Sequence, residues 1–331
     1  MAPHLAIPFP SESPPGFEWL DQEEPFDPER HLALEPPVGI VQLAELGYAD
    51  AEIAATATPV ALAGPFRVLS DEGAAILLDT ARRLEAFVQP AADRIERTVR
   101  GGCYRSRWLR DLCLSPDLNA HLAAIYDTPV APHPMPHHLG HLNYPPASVG
   151  DPIDKWHHDT LPLDVVITVT DPADVVGGRF QWFRGTKHEA AELASHGATP
   201  PPDRVEAPEL PGPGWGIALH GNMVVHRAAP LDEPGERITM VNGYVALDTT
   251  IDDQSRSADL IGVDDPGALY TEWSRFAAWR SADRLGRLID DLDWAGDADS
   301  AAQQLDRAIA DARQAAEEMR AGRVVTHHYG G

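Results

Sequence analysis

The stretch Asp151–Asp164, "DPIDKWHHDTLPLD", sets two histidines and an aspartate ahead of an apolar run, and its reading decides the fold. If "KWHHDT" is a strand, side chains alternate faces. His157 and Asp159 then point one way, and Trp156 and His158 point the other. An imidazole nitrogen and a carboxylate oxygen brought together in this manner are two of the three donors of a facial triad for non-haem iron(II), which leaves coordination positions open. The third donor has to come from a distant strand.

The surroundings fit a strand assembly. From about 128 to 250 short β-branched and aromatic segments alternate with glycine and proline: "HLNY", "DVVITVT", "GRFQWF", "GWGIALHG", "MVVHRAA" and "RITMVNGYVAL". Repeated short strands at this spacing predict a sandwich or barrel. Before them, "TPVALAGPFRVLS" reads as an entry strand. Ser70 is placed to cap a helix with Ile76, Leu77, Leu84 and Val88 on one side, Pro90 ends it, and Ser115 is placed to cap another helix. Residues 1–38 read as an irregular proline-rich arm, followed by a short helical pattern near "GIVQLAELGY". From 266 to 321 "GALYTEWSRFAAWRSADRLGRLIDDLDW" and "SAAQQLDRAIADARQAAEEMRAG" have helical spacing, and Trp273, Phe276, Ala277 and Arg280 form a packing stripe. The expected class is α+β with a mainly β core, a single unit over 1–331. Its parts are an arm and short helix (1–64), helices and strand core (65–250) and a helical extension (251–331).

Two histidines compete to be the third donor. His226 in "MVVHRAAPLDEPGERIT" stands 69 residues after His157 and is followed 11 residues later by Arg237, with Thr239 two further on. A guanidinium fork binds a carboxylate in bidentate fashion, and Thr239 on the same strand face adds a hydroxyl. His220 is the rival. The ordered set resembles the iron(II)- and 2-oxoglutarate-dependent oxygenases, within them the phytanoyl-CoA-hydroxylase-like branch, over roughly 65–250. "HHD", "GGRFQWFRGTKHE" and the His226 to Arg-x-Thr spacing carry the likeness. "FRGTKHE" departs from the more usual Pro-Gly-Ser-His turn.

That resemblance implies a double-stranded β-helix, or jelly roll, with iron(II) on His157, Asp159 and His226. It also implies 2-oxoglutarate and O2 as cosubstrates and the far carboxylate of the oxo acid on Arg237 and Thr239. Asn143 and Tyr144 fall where such proteins place groups touching the oxo acid, although Asn143 also suits a turn before Pro145 and Pro146. His158 and Trp182 are pocket or supporting candidates. Hydroxylation of an unactivated C–H bond, with succinate and CO2 formed, is the default outcome. Asp159 argues against halogenation, because halogenating relatives carry a small residue there. Desaturation, cyclisation and epimerisation stay open. Two other readings remain: a cupin-like metal isomerase or hydrolase that makes no use of 2-oxoglutarate, and a non-catalytic jelly-roll binding module.

Composition bounds the rest. With 51 acidic against 26 basic residues the formal charge is −25, which disfavours nucleic acid and anionic membrane as partners. Only Cys103 and Cys113 are present, too few for a disulfide framework, so a reducing cytoplasm is the economical expectation. The partner expected is a small-molecule substrate of the kind met in natural-product biosynthesis. The histidine group His133, His137, His138 and His141 reads as a loop crowding the site's mouth, and the C-terminal helices either cover the pocket or mediate a homodimer.

Overall fold

The computed structural model describes residues 5–91, 94–290, 296–325 and 329. Strands in chain order are β1 (Ile40–Gln42), β2 (Val60–Arg67), β3 (Gln89–Ala91), β4 (Ile95–Val99), β5 (Val130–Pro132), β6 (His141–Asn143), β7 (Asp154–His157), β8 (Leu163–Thr168), β9 (Phe180–Phe183), β10 (Val205–Glu206), β11 (Trp215–Leu219), β12 (His226–Ala228) and β13 (Thr239–Ala246). They pair antiparallel in two sheets. The larger runs β1-β2-β11-β8-β13-β6-β4-β3, with β5 also on β13, and the smaller runs β10-β9-β12-β7. From β7 onward the chain alternates between the sheets: β7 small, β8 large, β9 and β10 small, β11 large, β12 small, β13 large. That alternation is the double-stranded β-helix.

Strand periodicity separates the two faces of the large sheet. On β8, Val165 and Ile167 join the core beneath the helices, while Asp164 and Val166 line the cavity between the sheets. On β13, Met240 and Tyr244 go to the core and Thr239 and Val241 to the cavity. The outer face is covered by α3 (Asp71–Leu84), α4 (Arg107–Cys113) and α5 (Pro116–Tyr126), preceded in the chain by the short α1 (Pro28–His31) and α2 (Asp50–Ala54). Ser70 Oγ accepts from Gly73 N at 3.0 Å and starts α3. Leu77 and Leu84 are fully buried, each contributing about 2 kcal/mol by area.

Three local expectations change. "GIVQLAELGY" is an edge strand, β1, and then a 3-10 turn at Leu43–Leu46, because pairing with β2 takes its first residues. "FRGTKHE" opens α6 (Lys187–Ser195), with Thr186 and Glu189 forming a capping box. The C-terminal helices are α7 (Pro266–Asp290), α8 (Ala298–Ala308) and α9 (Ala310–Ala321), so the second predicted helix is split at Ile309. Arg284 Nη1 takes the Arg307 carbonyl at 3.2 Å beside that break. Residues 291–294 of the first predicted helix lie outside the described residues. Trp273, Phe276 and Ala277 are buried against Met135 and Val245, and Arg280 pairs with Asp311, whose Oδ2 lies 2.6 Å from Nε. Among the described residues no helix is long and apolar enough to cross a membrane.

Candidate metal centre and its cavity

β7 and β12 are antiparallel neighbours, and their register places His226 opposite His157. Directly paired residues share a face, which brings the two rings to 4.2 Å between centroids. β7 ends at His157, so Asp159 does not owe its direction to strand alternation, contrary to the expectation from "KWHHDT". It sits in the following loop, whose Asp159 N donates to Gly221 O at 2.8 Å. That close approach requires glycine: a Cβ at 221 would meet the Leu161 carbonyl at 2.7 Å. The Asp159 carboxylate then spans both rings, Oδ1 at 3.3 Å from His157 Nε2 and Oδ2 at 3.2 Å from His226 Nε2.

The tautomers follow from the other nitrogens. His157 Nδ1 lies 2.6 Å from Lys155 O and His226 Nδ1 lies 3.0 Å from Val224 O. A carbonyl only accepts, so both Nδ1 atoms carry a hydrogen, and each Nε2, turned to the carboxylate, is the position that takes up a proton or a metal ion. Donor atoms of His157, Asp159 and His226 all lie within 4.8 Å of one another. Two nitrogen lone pairs and a carboxylate converging in a buried place call for a cation, and the donor set suits iron(II). The electrostatics agree. Burial opposes the Asp159 charge, yet His226 and His157 outweigh it and hold the carboxyl well below its ordinary range. Burial also opposes charge on His226, which Asp159 overcomes, so that imidazole is raised. Burial and then Arg94 lower His157.

Further along the same cavity Arg237 is buried. Its Nε donates to Gly178 O at 3.0 Å and its Nη1 to Thr239 Oγ1 at 3.1 Å. No carboxylate lies within ion-pair distance of it among the described residues, and burial pushes it down to about 10. Asn143, Thr239 and Thr168 stand side by side across β6, β13 and β8. Asn143 Oδ1 accepts from Thr98 Oγ1 at 3.1 Å, and the buried Thr168 hydroxyl has no partner among the described residues. Asn143 and Thr239 line the cavity with His157, Asp159, His226 and Arg237.

Three sequence candidates do not line the cavity. Tyr144 faces away from Asn143 by alternation; its hydroxyl donates to Ala81 O at 2.7 Å under α3. His158 contacts the Tyr329 hydroxyl on the outer side. Trp182 packs among Leu43, Leu46 and Tyr48 in the core, while Phe180, two residues earlier, lines the cavity. His220 is buried with Nδ1 3.3 Å from Val60 O and does not line the cavity.

The sequence reading missed several charged groups. Arg94 and Asp154 form a two-armed pair beside His157, at 2.7 and 2.8 Å. Asp164 is raised well above the usual carboxyl range by burial and then by Asp159. At the opposite end Arg100 pairs with Asp264, Nε to Oδ1 at 2.8 Å, and Asp264 lies just before α7. Arg100 Nη1 also reaches His141 Nδ1 at 3.3 Å, and His138 Nε2 is 3.0 Å from Asp264 Oδ2. His138 and His141 therefore belong to the cavity wall, as do Leu260 and Val263 of the C-terminal extension. None of these positions carries a motif; a lone arginine before the "IERTV" strand gives no signal.

The fold and the site together define a jelly-roll protein with an internal His-Asp-His donor set. No protein-family model matches the chain, and no curated protein matches it. Solved structures do. The chain is similar to the non-heme alpha ketoglutarate dependent epimerase SnoN from nogalamycin biosynthesis, at 17% identity over 62% of this chain and 82% of that one, TM-score 0.41. It is similar to AviO1 from Streptomyces viridochromogenes Tue57, at 18% identity over 64% and 97%, TM-score 0.43. It is also similar to EctD from S. alaskensis with bound Fe, at 18% identity over 74% and 91%, TM-score 0.42. Likeness of this degree transfers no activity or residue role.

Proposed function

We propose that this protein is a non-haem iron(II)- and 2-oxoglutarate-dependent oxygenase of the phytanoyl-CoA-hydroxylase-like type, hydroxylating a small molecule of the natural-product kind. The observation that carries this reading is the pairing of two features in one cavity: His157 Nε2, Asp159 and His226 Nε2 within 4.8 Å, and a buried arginine without a carboxylate partner among the described residues. A buried unpaired cation costs several kcal/mol, about the amount a bound carboxylate restores.

In this reading His157, Asp159 and His226 hold iron(II). The backbone carbonyls of Lys155 and Val224 fix both imidazoles with Nε2 turned inward. Iron(II) with 2-oxoglutarate supplies activation of O2, so that a C–H bond becomes C–OH while the oxo acid leaves as succinate and CO2. Arg237 and Thr239 bind the far carboxylate of the oxo acid, and Asn143, turned by its acceptance from Thr98, offers its amide N–H to the near end. Leu260 and Val263 give the cavity apolar wall that excludes water.

The test is anaerobic addition of iron(II) and 2-oxoglutarate to the metal-stripped protein. The expected result is a weak visible band at roughly 500 nm from metal chelation by the oxo acid, and succinate formation once O2 is admitted. Metal binding without the band would point to a metal enzyme that does not use the oxo acid, and no metal binding would leave a binding module.

A further inference from the structure

Arg94 immediately precedes β4 and reaches into the proposed metal site. Its guanidinium is anchored on the buried Asp154, Nε to Oδ1 at 2.7 Å and Nη2 to Oδ2 at 2.8 Å. The same Nη2 donates to His157 Nε2 and lies 3.4 Å from Asp159 Oδ1. Two of the three donors assigned to the metal thus also serve a guanidinium.

Resting on the metal centre proposed above, we propose that Arg94 is a built-in competitor of the metal, a tethered cation that shares His157 Nε2 and Asp159 with it and so sets how tightly a divalent ion is held.

Three physical points support this. The His157 Nε2 lone pair serves one partner at a time, so an ion on that nitrogen has to displace Nη2. A guanidinium stays charged across the accessible pH range and cannot leave the contest by losing a proton. Its single positive charge also repels a divalent ion a few ångströms away, and burial keeps that repulsion from being screened. Asp154 is what makes competition possible without loss of the fold. The Nε arm uses no atom of the donor set, so a displaced guanidinium keeps a buried ion-pair partner. Asp154 is itself held below its usual range, burial opposing and Arg94 prevailing.

The experiment titrates the full chain, stripped with a chelator, with Zn(II) and with Co(II) by calorimetry, following the Co(II) visible spectrum in parallel. Arg94→Gln is expected to bind both ions at least tenfold more tightly than the parent, and Arg94→Lys, which keeps the charge and loses the fork, to fall between them. Arg94→Met serves as a second neutral variant should the glutamine variant fold poorly by circular dichroism. His226→Ala in the Arg94→Gln background should abolish the tight site, placing it on the assigned donors. Equal or weaker binding by both neutral variants would overturn the competitor role and leave the metal centre standing. No binding by the parent or by either neutral variant would overturn both.

Discussion

Arg100 and Arg237 line one cavity from opposite ends, and the two residues are almost equally buried, at 9% and 8% exposure. Arg100 is answered from within the chain by Asp264 at 2.7 Å, with His138 and His141 around it. Arg237 is answered only by a carbonyl and a hydroxyl. Equal burial with unequal pairing separates architecture from binding. The first arginine ties the C-terminal extension to β4, and the second, in the function proposed above, keeps its charge for the oxo acid. A satisfied buried pair is costly to break but does nothing for a guest, whereas an unsatisfied one weakens the fold and gains when a carboxylate arrives.

The comparison can be broken in order of expected size. Asp159→Ala or His226→Ala removes a donor and should weaken iron(II) binding by at least about a hundredfold, larger than the 10–100-fold typical of supporting residues, as read by metal titration. Asp264→Ala leaves Arg100 buried without a carboxylate and should cost about 3–5 kcal/mol in denaturant unfolding, with His157, Asp159 and His226 untouched. Arg237→Leu should do the reverse. Thermal stability should hold or rise, because an unpaired buried charge is gone, while 2-oxoglutarate affinity falls by about 2–5 kcal/mol. If Arg237→Leu destabilised the protein as strongly as Asp264→Ala, the two arginines would not differ as argued.

A fourth variant sharpens the architectural end by pH. Glu272 on α7 accepts from the Tyr104 hydroxyl at 2.7 Å and from His137 N at 3.0 Å, and burial pushes it up to about 7. The unfolded glutamate titrates near 4.3. Between the two values the native state holds the extra proton, so this contribution is full below about 4.3 and is lost as pH rises to about 7. Glu272→Gln cannot ionise and should gain on the parent by up to about 4 kcal/mol from pH 4 to pH 8, measured as the difference in unfolding free energy at the two values. The smallest effect is expected from His158→Ala. With its side chain against Tyr329 outside the cavity, iron(II) affinity should stay within about threefold, less than 0.7 kcal/mol.

How far the residues were legible follows the same physics. The strand class and the Ser70 and Ser115 caps could be read because they are local, written in spacing and side-chain type. His157 stood out through its His-x-Asp setting, and His226 through its distance from His157 and from Arg237. Tyr144 and Trp182 do not line the cavity, for opposite reasons: one sits a residue off the inward face of β6, and the other shares the inward face of β9, opposite His226, but lies toward its core end. Asp159 was selected by an alternation that stops two residues before it, and its direction comes from the Gly221 contact instead. Arg94, Asp154, Arg100 and Asp264 left no local trace, since each acquires meaning only from a partner at least 60 residues away.

The sequence by itself determined the class of most elements and the kinds of donor available, because periodicity, capping and side-chain chemistry act within a few residues. Only the tertiary structure decided which charges meet: that His226 stands opposite His157, that Arg100 finds Asp264, that Arg94 reaches His157 and Asp159 and that no described carboxylate reaches Arg237. Ion pairing falls off over a few ångströms, and distances that short between remote residues are fixed by strand register and packing.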